Sequence, residues 1–263
     1  SYSIATVGCN FRCLHCQNSD ISQMPRDQKK IIGELVSPEE VVNEALATGC
    51  ASISYTYTEP TIFFEFAYDT GVMAREKGIK NVFVTNGFMT GECIDELKDM
   101  LDGANVDIKA FTEGFYKKVC GARLAPVLES VERMRKLGIW VELTTLVIPT
   151  MNDSEEELRA LARWIAMTDK TMPWHLSAFH PSYKMNNLPS TPVATLRRAR
   201  EIGLEEGLRY VYTGNIPGDA GESTYCYKCK ELLIERVGFT VKKNLITGSA
   251  CPICSALIDG VEL

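Results

Sequence analysis

The chain has 263 residues, with 28 Lys and Arg against 34 Asp and Glu and a formal net charge of -6, and no stretch concentrates its basic residues. Neither nucleic acid nor an anionic membrane surface is therefore an expected partner. No apolar run reaches the length of a membrane span, and the first seven residues lack the basic flank and apolar core of a signal peptide, which predicts a cytoplasmic protein. The chain opens at Ser1 and meets its first cysteine motif almost at once, so a further segment ahead of it is expected.

Residues 2–7 are β-branched and aromatic and predict a first strand. Ser37-Pro38-Glu39-Glu40 reads as a capping box with Pro at the first helical position; Val41, Val42, Ala45 and Leu46 then form one apolar face before Gly49 stops the helix. Strands at 52–57, 81–85, 105–108, 140–148 and 174–179 are each followed by a helix, at 61–77, 90–101, 126–137, 154–168 and 191–206, and 208–213 is a last strand. Crossovers of this length imply parallel strands joined by right-handed βαβ units. Six units and one strand fall short of the eight that close a full barrel, so the fold class is α/β, an open partial (β/α)6 TIM-like barrel. The alternation stops after Asn215-Ile216-Pro217-Gly218, which predicts a barrel over 1–217 and a small module over 218–263.

The loops after the strands of such a barrel share one face, and unusual polar residues gather there. Cys9 to Cys16 follow the first strand, Thr58-Glu59-Pro60 the second and Thr85-Asn86-Gly87 the third. Asp107 and Lys109 end the fourth, Asn152 and Asp153 follow the fifth, His180 the sixth and Asn215 the seventh. Seven of the ten cysteines form three groups, Cys9/Cys13/Cys16, Cys226/Cys229 and Cys251/Cys254, which points to metal or redox chemistry. Cys50, Cys93 and Cys120 stand alone and read as small buried hydrophobes. The first triad offers three thiolates in one loop, enough for a 4Fe-4S cube with one iron left open to another ligand. A zinc site completed by His15, or a group of buried thiols, are the competing readings.

The CxxxCxxC spacing after the first strand resembles the radical S-adenosylmethionine (SAM) superfamily, and the likeness extends over residues 2–215. It implies that the open iron chelates the amino and carboxylate groups of SAM and that His15 packs near the adenine. Tyr57-Thr58-Glu59-Pro60 stands where relatives carry Gly-Gly-Glu-Pro against the SAM amino group, and both glycines are replaced here. The resemblance further assigns Asn86, Asp107 and Lys109 to the methionine end and His180 to the ribose; ordinary readings are a helix-end carboxylate for Glu59, a solvated ion pair for Asp107 and Lys109, and a structural histidine for His180. Thr6-Val7-Gly8-Cys9-Asn10-Phe11-Arg12-Cys13, Tyr55-Thr56-Tyr57-Thr58-Glu59-Pro60-Thr61, Cys120-Gly121-Ala122-Arg123 and Tyr210-Val211-Tyr212-Thr213-Gly214-Asn215 resemble the AmmeMemoRadiSam radical SAM enzymes, related to pyruvate formate-lyase activating enzymes.

The implied activity is reductive cleavage of SAM to a 5′-deoxyadenosyl radical, with a protein reductant such as flavodoxin or ferredoxin, for hydrogen abstraction from an undefined substrate. Cys120 is a candidate substrate-facing hydrogen donor. A glycyl-radical activase of the kind without extra cysteines is the alternative, because residues 18–36 contain no cysteine; a non-catalytic metal scaffold is the third reading. In the tail, Cys226, Cys229, Cys251 and Cys254 have zinc-ribbon-like spacing and predict a closed four-thiolate site for zinc or iron, or else a second iron-sulfur cluster. Lys230 and Ser255 stand where such knuckles ordinarily have glycine.

Overall fold

In the computed structural model, which describes residues 1–261, each predicted strand of the barrel is present and the strands of the seven-stranded sheet follow chain order. Two compact units divide the chain, one of Ser1–Glu142 with Ser182–Asn186 and one of Leu143–Pro181 with the chain from Asn187 onward.

The first unit contains β1 (Tyr2–Ile4), β2 (Ser52–Tyr55), β3 (Lys80–Thr85) and β4 (Gly103–Asp107), all parallel. Two short helices, α1 (Ser19–Ser22) and α2 (Met24–Asp27), follow the cysteine loop, and α3 (Pro38–Ala47) starts at the expected capping box. The Ser37 side chain accepts from Glu40 N, and the Glu40 carboxylate accepts in turn from Ser37 N. Helices α4 (Phe64–Glu76) and α5 (Gly91–Leu97) complete the next two crossovers. After β4 the chain makes α6 (Glu113–Phe115) and a π-helical turn at Tyr116–Cys120, neither of which the apolar periodicity predicts, and then α7 (Ala125–Lys136). The strands carry Ile53, Tyr55, Phe83 and Val106 into a dry core. One polar residue there is fully satisfied: buried Asn81 donates to the Gly71 and Met100 carbonyls and accepts from the Tyr55 hydroxyl.

Strand β5 (Trp140–Val147) leads into the second unit, where it pairs in parallel with β6 (Trp174–Ala178), and β6 pairs with β7 (Val211–Gly214). Their crossovers are α8 (Glu155–Asp169), capped by Ser154, and α9 (Val193–Glu205). Trp174 is wholly buried and its indole N–H donates to Thr145 Oγ1 at 3.0 Å. The tail adds an antiparallel three-stranded sheet of β8 (Thr224–Tyr225), β9 (Leu232–Val237) and β10 (Thr240–Asn244) in the order β10-β9-β8. Its small core joins Leu233, Ile234, Cys226 and Cys251 to Tyr210. Of the expected 218–263 module, Glu262 and Leu263 lie outside the described residues. No helix among the described residues is long and apolar enough to cross a membrane.

Candidate iron-sulfur and cofactor site

The loop that bears Cys9, Cys13 and Cys16 is fixed by its own aromatic residue. Phe11 is buried and meets Phe88 and Tyr116 edge-on, at 5.5 and 6.2 Å between ring centroids. Its backbone runs beside the π-helical turn, with Arg12 N donating to the Cys120 carbonyl and Leu14 N to that of Val119, both at 3.0 Å. The short segment 182–186 closes the other side: Lys184 N donates to the Leu14 carbonyl and Ser182 Oγ to that of Cys16. With the backbone so occupied, the side chains of the three cysteines carry the loop's chemistry, Cys9 Sγ accepting from Phe11 N and Cys16 Sγ standing 3.1 Å from Ser22 Oγ.

Cys13 is buried, and Cys9 and Cys16 are partly exposed. Burial pushes the Cys9 thiol up to about 12 and raises Cys16 as well. Cys13 is held up first by its hydrogen bond with Cys120 and then by burial. Such thiols ionise when a cation is brought to them, so the donor set suits iron, whose positive charge adds to that of Lys109 nearby. His15, between two of these cysteines, is buried, and neither Nδ1 nor Nε2 has a partner. Burial, and then the charge of Lys109, lowers its pKa to about 3, so the ring is neutral. Thr58 Oγ1, on the next strand-end loop, is also buried without a partner. Buried polar atoms are ordinarily satisfied, and these orphans, one within the cysteine loop and one in the same unit, fit a polar group bound against the loop.

Tyr57 holds φ at +62°, the left-handed conformation that a glycine takes without strain, and so does what the replaced glycine would do. Asn18 Nδ2 donates to its carbonyl at 2.9 Å, and Thr58 N donates to the Thr56 carbonyl at 2.7 Å. Glu59 is wholly buried. Its Oε1 accepts from Thr61 N, Thr61 Oγ1 and Thr85 Oγ1, and its Oε2 from Asn86 N at 2.7 Å. Desolvation nonetheless raises the pKa of this carboxyl. Asn86 continues the chain of contacts: its amide donates to Asn10 Oδ1 at 2.7 Å and stands 3.8 Å from Cys9 Sγ. Gly87 follows with φ +69°, where a Cβ would come within 2.7 Å of Val106.

Asp107 and Lys109 form an ion pair of 2.6 Å with side chains 27% and 17% exposed, which is more enclosed than a solvated strand-end pair. Burial alone would favour the neutral amine of Lys109, but Asp107 and then Cys13 hold it protonated. Cys120 has no exposed surface and its thiol faces Cys13, so it lies behind the cysteine loop and not on an open substrate face. Cys50 and Cys93 are partly exposed and do not behave as buried hydrophobes. His180 follows β6 in the second unit, exposed, with Nδ1 3.2 Å from Ser190 Oγ. The sequence reading passed over Asn10, Asn18, Thr61 and Thr85 as individual side chains. Asn10 and Thr85 stood inside the quoted motifs, whereas nothing in the spacing singles out Asn18.

The four tail cysteines place their sulfurs within 4.8 Å of one another, with Cys226 to Cys254 and Cys229 to Cys251 both at 3.6 Å. Lys230 N and Ser255 N donate to the Cys226 and Cys251 carbonyls at 2.9 Å, and both residues are left-handed, at φ +65° and +57°. The knuckle turns are thus regular without glycine. Burial opposes ionisation of Cys226, but the backbone N–H groups of Cys229 and Lys228 bring its thiol down to about 7.

Known proteins resemble this chain in sequence and in fold. The family described as the Radical SAM superfamily matches residues 3–165. The chain is 49% identical to uncharacterized protein MJ0808 of Methanocaldococcus jannaschii, over 98% of this chain and 77% of that protein. It is 24% identical to the pyruvate formate-lyase-activating enzyme of Clostridium pasteurianum, over 68% and 77% of the two chains. Among solved structures, Streptococcus suis SuiB bound to S-adenosylmethionine shares the fold with a TM-score of 0.64 at 13% identity, over 81% of this chain and 50% of that one. A radical SAM methyltransferase from Sphaerobacter thermophilus does so with a TM-score of 0.62 at 15% identity, over 84% and 69%.

Proposed function

The chain belongs to the radical SAM superfamily, and on that premise we propose that Cys9, Cys13 and Cys16 hold a 4Fe-4S cluster that cleaves S-adenosylmethionine for hydrogen abstraction from a substrate still to be identified. The carrying observation is the pairing of three thiols on one loop with buried, unpartnered polar atoms of His15 and Thr58 in the same unit. When bound, the reduced cluster and SAM supply the electron and the 5′-deoxyadenosyl radical, with methionine as the other product.

The protein's own residues hold and orient. Thr58 Oγ1 and the Lys109–Asp107 pair offer a hydroxyl, a cation and an anion for the amino and carboxylate groups of the methionine end. The neutral His15 ring offers a flat surface and either a donor or an acceptor to the adenine, depending on its tautomer. Glu59 works through the loops it ties and not by direct contact, since its oxygens already accept from four protein donors. Asn86 links that clasp to the cluster loop. His180 is kept as a ribose contact on resemblance alone. A protein reductant such as flavodoxin or ferredoxin is the source of the electron.

For the tail we propose one zinc or iron ion. A tetrahedron of thiolates around zinc, with Zn–S of about 2.3 Å, puts the sulfurs roughly 3.8 Å apart, close to the 3.6 Å of two pairs here. A cube separates its thiolates further, so a second 4Fe-4S cluster is disfavoured. All four ligands are protein groups, which suits a structural site, and the tail's small core is shared with Tyr210 of the second unit.

The test is turnover. With a strong reductant and SAM, anaerobically reconstituted protein should release 5′-deoxyadenosine and methionine, and Cys9→Ala, Cys13→Ala and Cys16→Ala should each lose the cluster EPR signal. Full wild-type signal in all three variants, or no 5′-deoxyadenosine under any reducing condition, overturns the reading. Relatives named as activating enzymes favour one second reading, action on a backbone glycine of a partner protein. A stable glycine-centred doublet on such a partner would support it, whereas deuterium transfer from a small molecule into 5′-deoxyadenosine would count against it.

A further inference from the structure

A cavity of about 320 Å³ opens in the second unit between α9, β7 and the first knuckle of the tail, and the radical chemistry makes no use of it. Its charged lining residues are Arg200, Arg209 and Lys230, and no acidic residue lines it, although the chain as a whole carries a net charge of -6. Arg209 is partly neutralised by Asp259, at 2.6 Å, and lies 4.2 Å from the ring centroid of Tyr227. Arg200 is not neutralised: its Nε donates to the Val211 carbonyl at 2.9 Å, its guanidinium stands 5.7 Å from the Tyr225 centroid, and no carboxylate among the described residues pairs with it. The Lys230 ammonium donates to the Tyr227 carbonyl at 3.0 Å, and no carboxylate among the described residues pairs with it. The phenol groups of Tyr225 and Tyr227 have no hydrogen-bond partner among the described residues.

The lining is thus rich in donors, two uncompensated cations and two phenols, on a wall made of tyrosine rings with Leu204 and Val211. Donors that lack acceptors select an anion, guanidinium favours a phosphate that it can grip with two N–H groups, and the aromatic and aliphatic wall favours a flat apolar body behind the charge. A volume near the lower end of ligand cavities, roughly 300–1,000 Å³, limits the guest to about one ring system and one anionic head. We propose that this cavity binds a small organic phosphate with a planar ring, of the class of a nucleoside monophosphate. Cys226 also lines the cavity, so the guest lies against a ligand of the tail metal site.

Calorimetric titration of the reconstituted holoprotein with AMP tests this, with adenosine and inorganic phosphate as separate titrants and SAM as a competitor. AMP should bind, adenosine and phosphate should each bind at least about tenfold more weakly, and saturating SAM should leave AMP binding in place. Arg200→Gln should weaken AMP about tenfold, and Lys230→Gln and Tyr225→Phe by a few-fold each, with cluster and tail-metal content unchanged. The last two variants leave the Arg200 bond to Val211 intact and carry the test should Arg200→Gln fold poorly. The proposal fails if AMP does not bind at millimolar concentration or if all three variants bind it as wild type does. It also fails if phosphate alone binds as tightly as AMP, or if SAM displaces AMP fully, which would place the nucleotide in the radical site.

Discussion

Replacing Glu59 by alanine removes the acceptor on which the ends of β2 and β3 converge. Four hydrogen bonds are lost, and the two threonine hydroxyls can turn toward other acceptors. The backbone N–H groups of Thr61 and Asn86 cannot turn. The buried Asn86 N–H left without an acceptor costs about 1–3 kcal/mol and the half-buried Thr61 N–H less, so the two together cost about 2–5 kcal/mol. Removal of the desolvated carboxyl, whose pKa burial has raised, offsets part of this. A net loss of about 2–4 kcal/mol follows. Glu59→Gln keeps the acceptor for the threonines but turns an amide N–H toward Asn86 N, and should cost about half as much. Anaerobic urea unfolding of reconstituted protein measures both, with SAM affinity and iron content taken on the same samples. SAM affinity should fall about tenfold in Glu59→Ala while iron content stays near wild type. A Glu59→Ala protein within about 0.5 kcal/mol of wild type would refute the clasp argument. The sign with pH is also fixed. A carboxyl with a raised folded pKa contributes its stability in full below the ordinary carboxylate pKa and loses it as pH rises through the folded value, so the advantage of wild type over Glu59→Gln should shrink with rising pH.

In the tail, Cys226→Ser with Cys251→Ser should abolish tail metal and lower tail stability while the triad cluster remains; parallel loss of both metals, measured by metal analysis and EPR, would mean that the tail completes the active site. Lys109→Met leaves Asp107 in a half-enclosed site without its cation, and about 1–3 kcal/mol of stability and most SAM affinity should go with it; unchanged SAM affinity in equilibrium binding would remove Lys109 from the site. Cys120→Ala deletes a buried thiol that only competes for Cys13, so reconstituted iron content should be unchanged at a packing cost of about 1 kcal/mol, and a large fall in iron would show that Cys120 supports the cluster.

The parallel barrel was legible because its signals are local. A capping box, glycine stops and β-branched runs each act within a few residues, and the strands appeared within a few residues of the expected places. The π-helical turn at Tyr116–Cys120 was not legible, because it is stabilised by the cysteine loop against it and not by its own periodicity. Among candidate residues, the cysteines declared themselves by spacing. The roles of Glu59 and Cys120 did not, since burial and orientation decide whether a carboxylate or thiol meets a ligand or its own neighbours. The missing glycines at Tyr57, Lys230 and Ser255 cast doubt on turns that the backbone nonetheless makes, each with a non-glycine residue in the left-handed region.

The segment 182–186 has a consequence for the order in which the protein is made. Leu14 and Cys16 take hydrogen bonds from Lys184 and Ser182, far downstream in the chain. The three triad cysteines leave the ribosome before Ser182, 166 residues beyond Cys16, so the loop that presents them lacks one wall until Asn186 has emerged. Iron delivered before Asn186 has emerged therefore meets an unfinished cradle around the triad thiols. A cluster held by the triad would be loaded after synthesis of the second unit has begun.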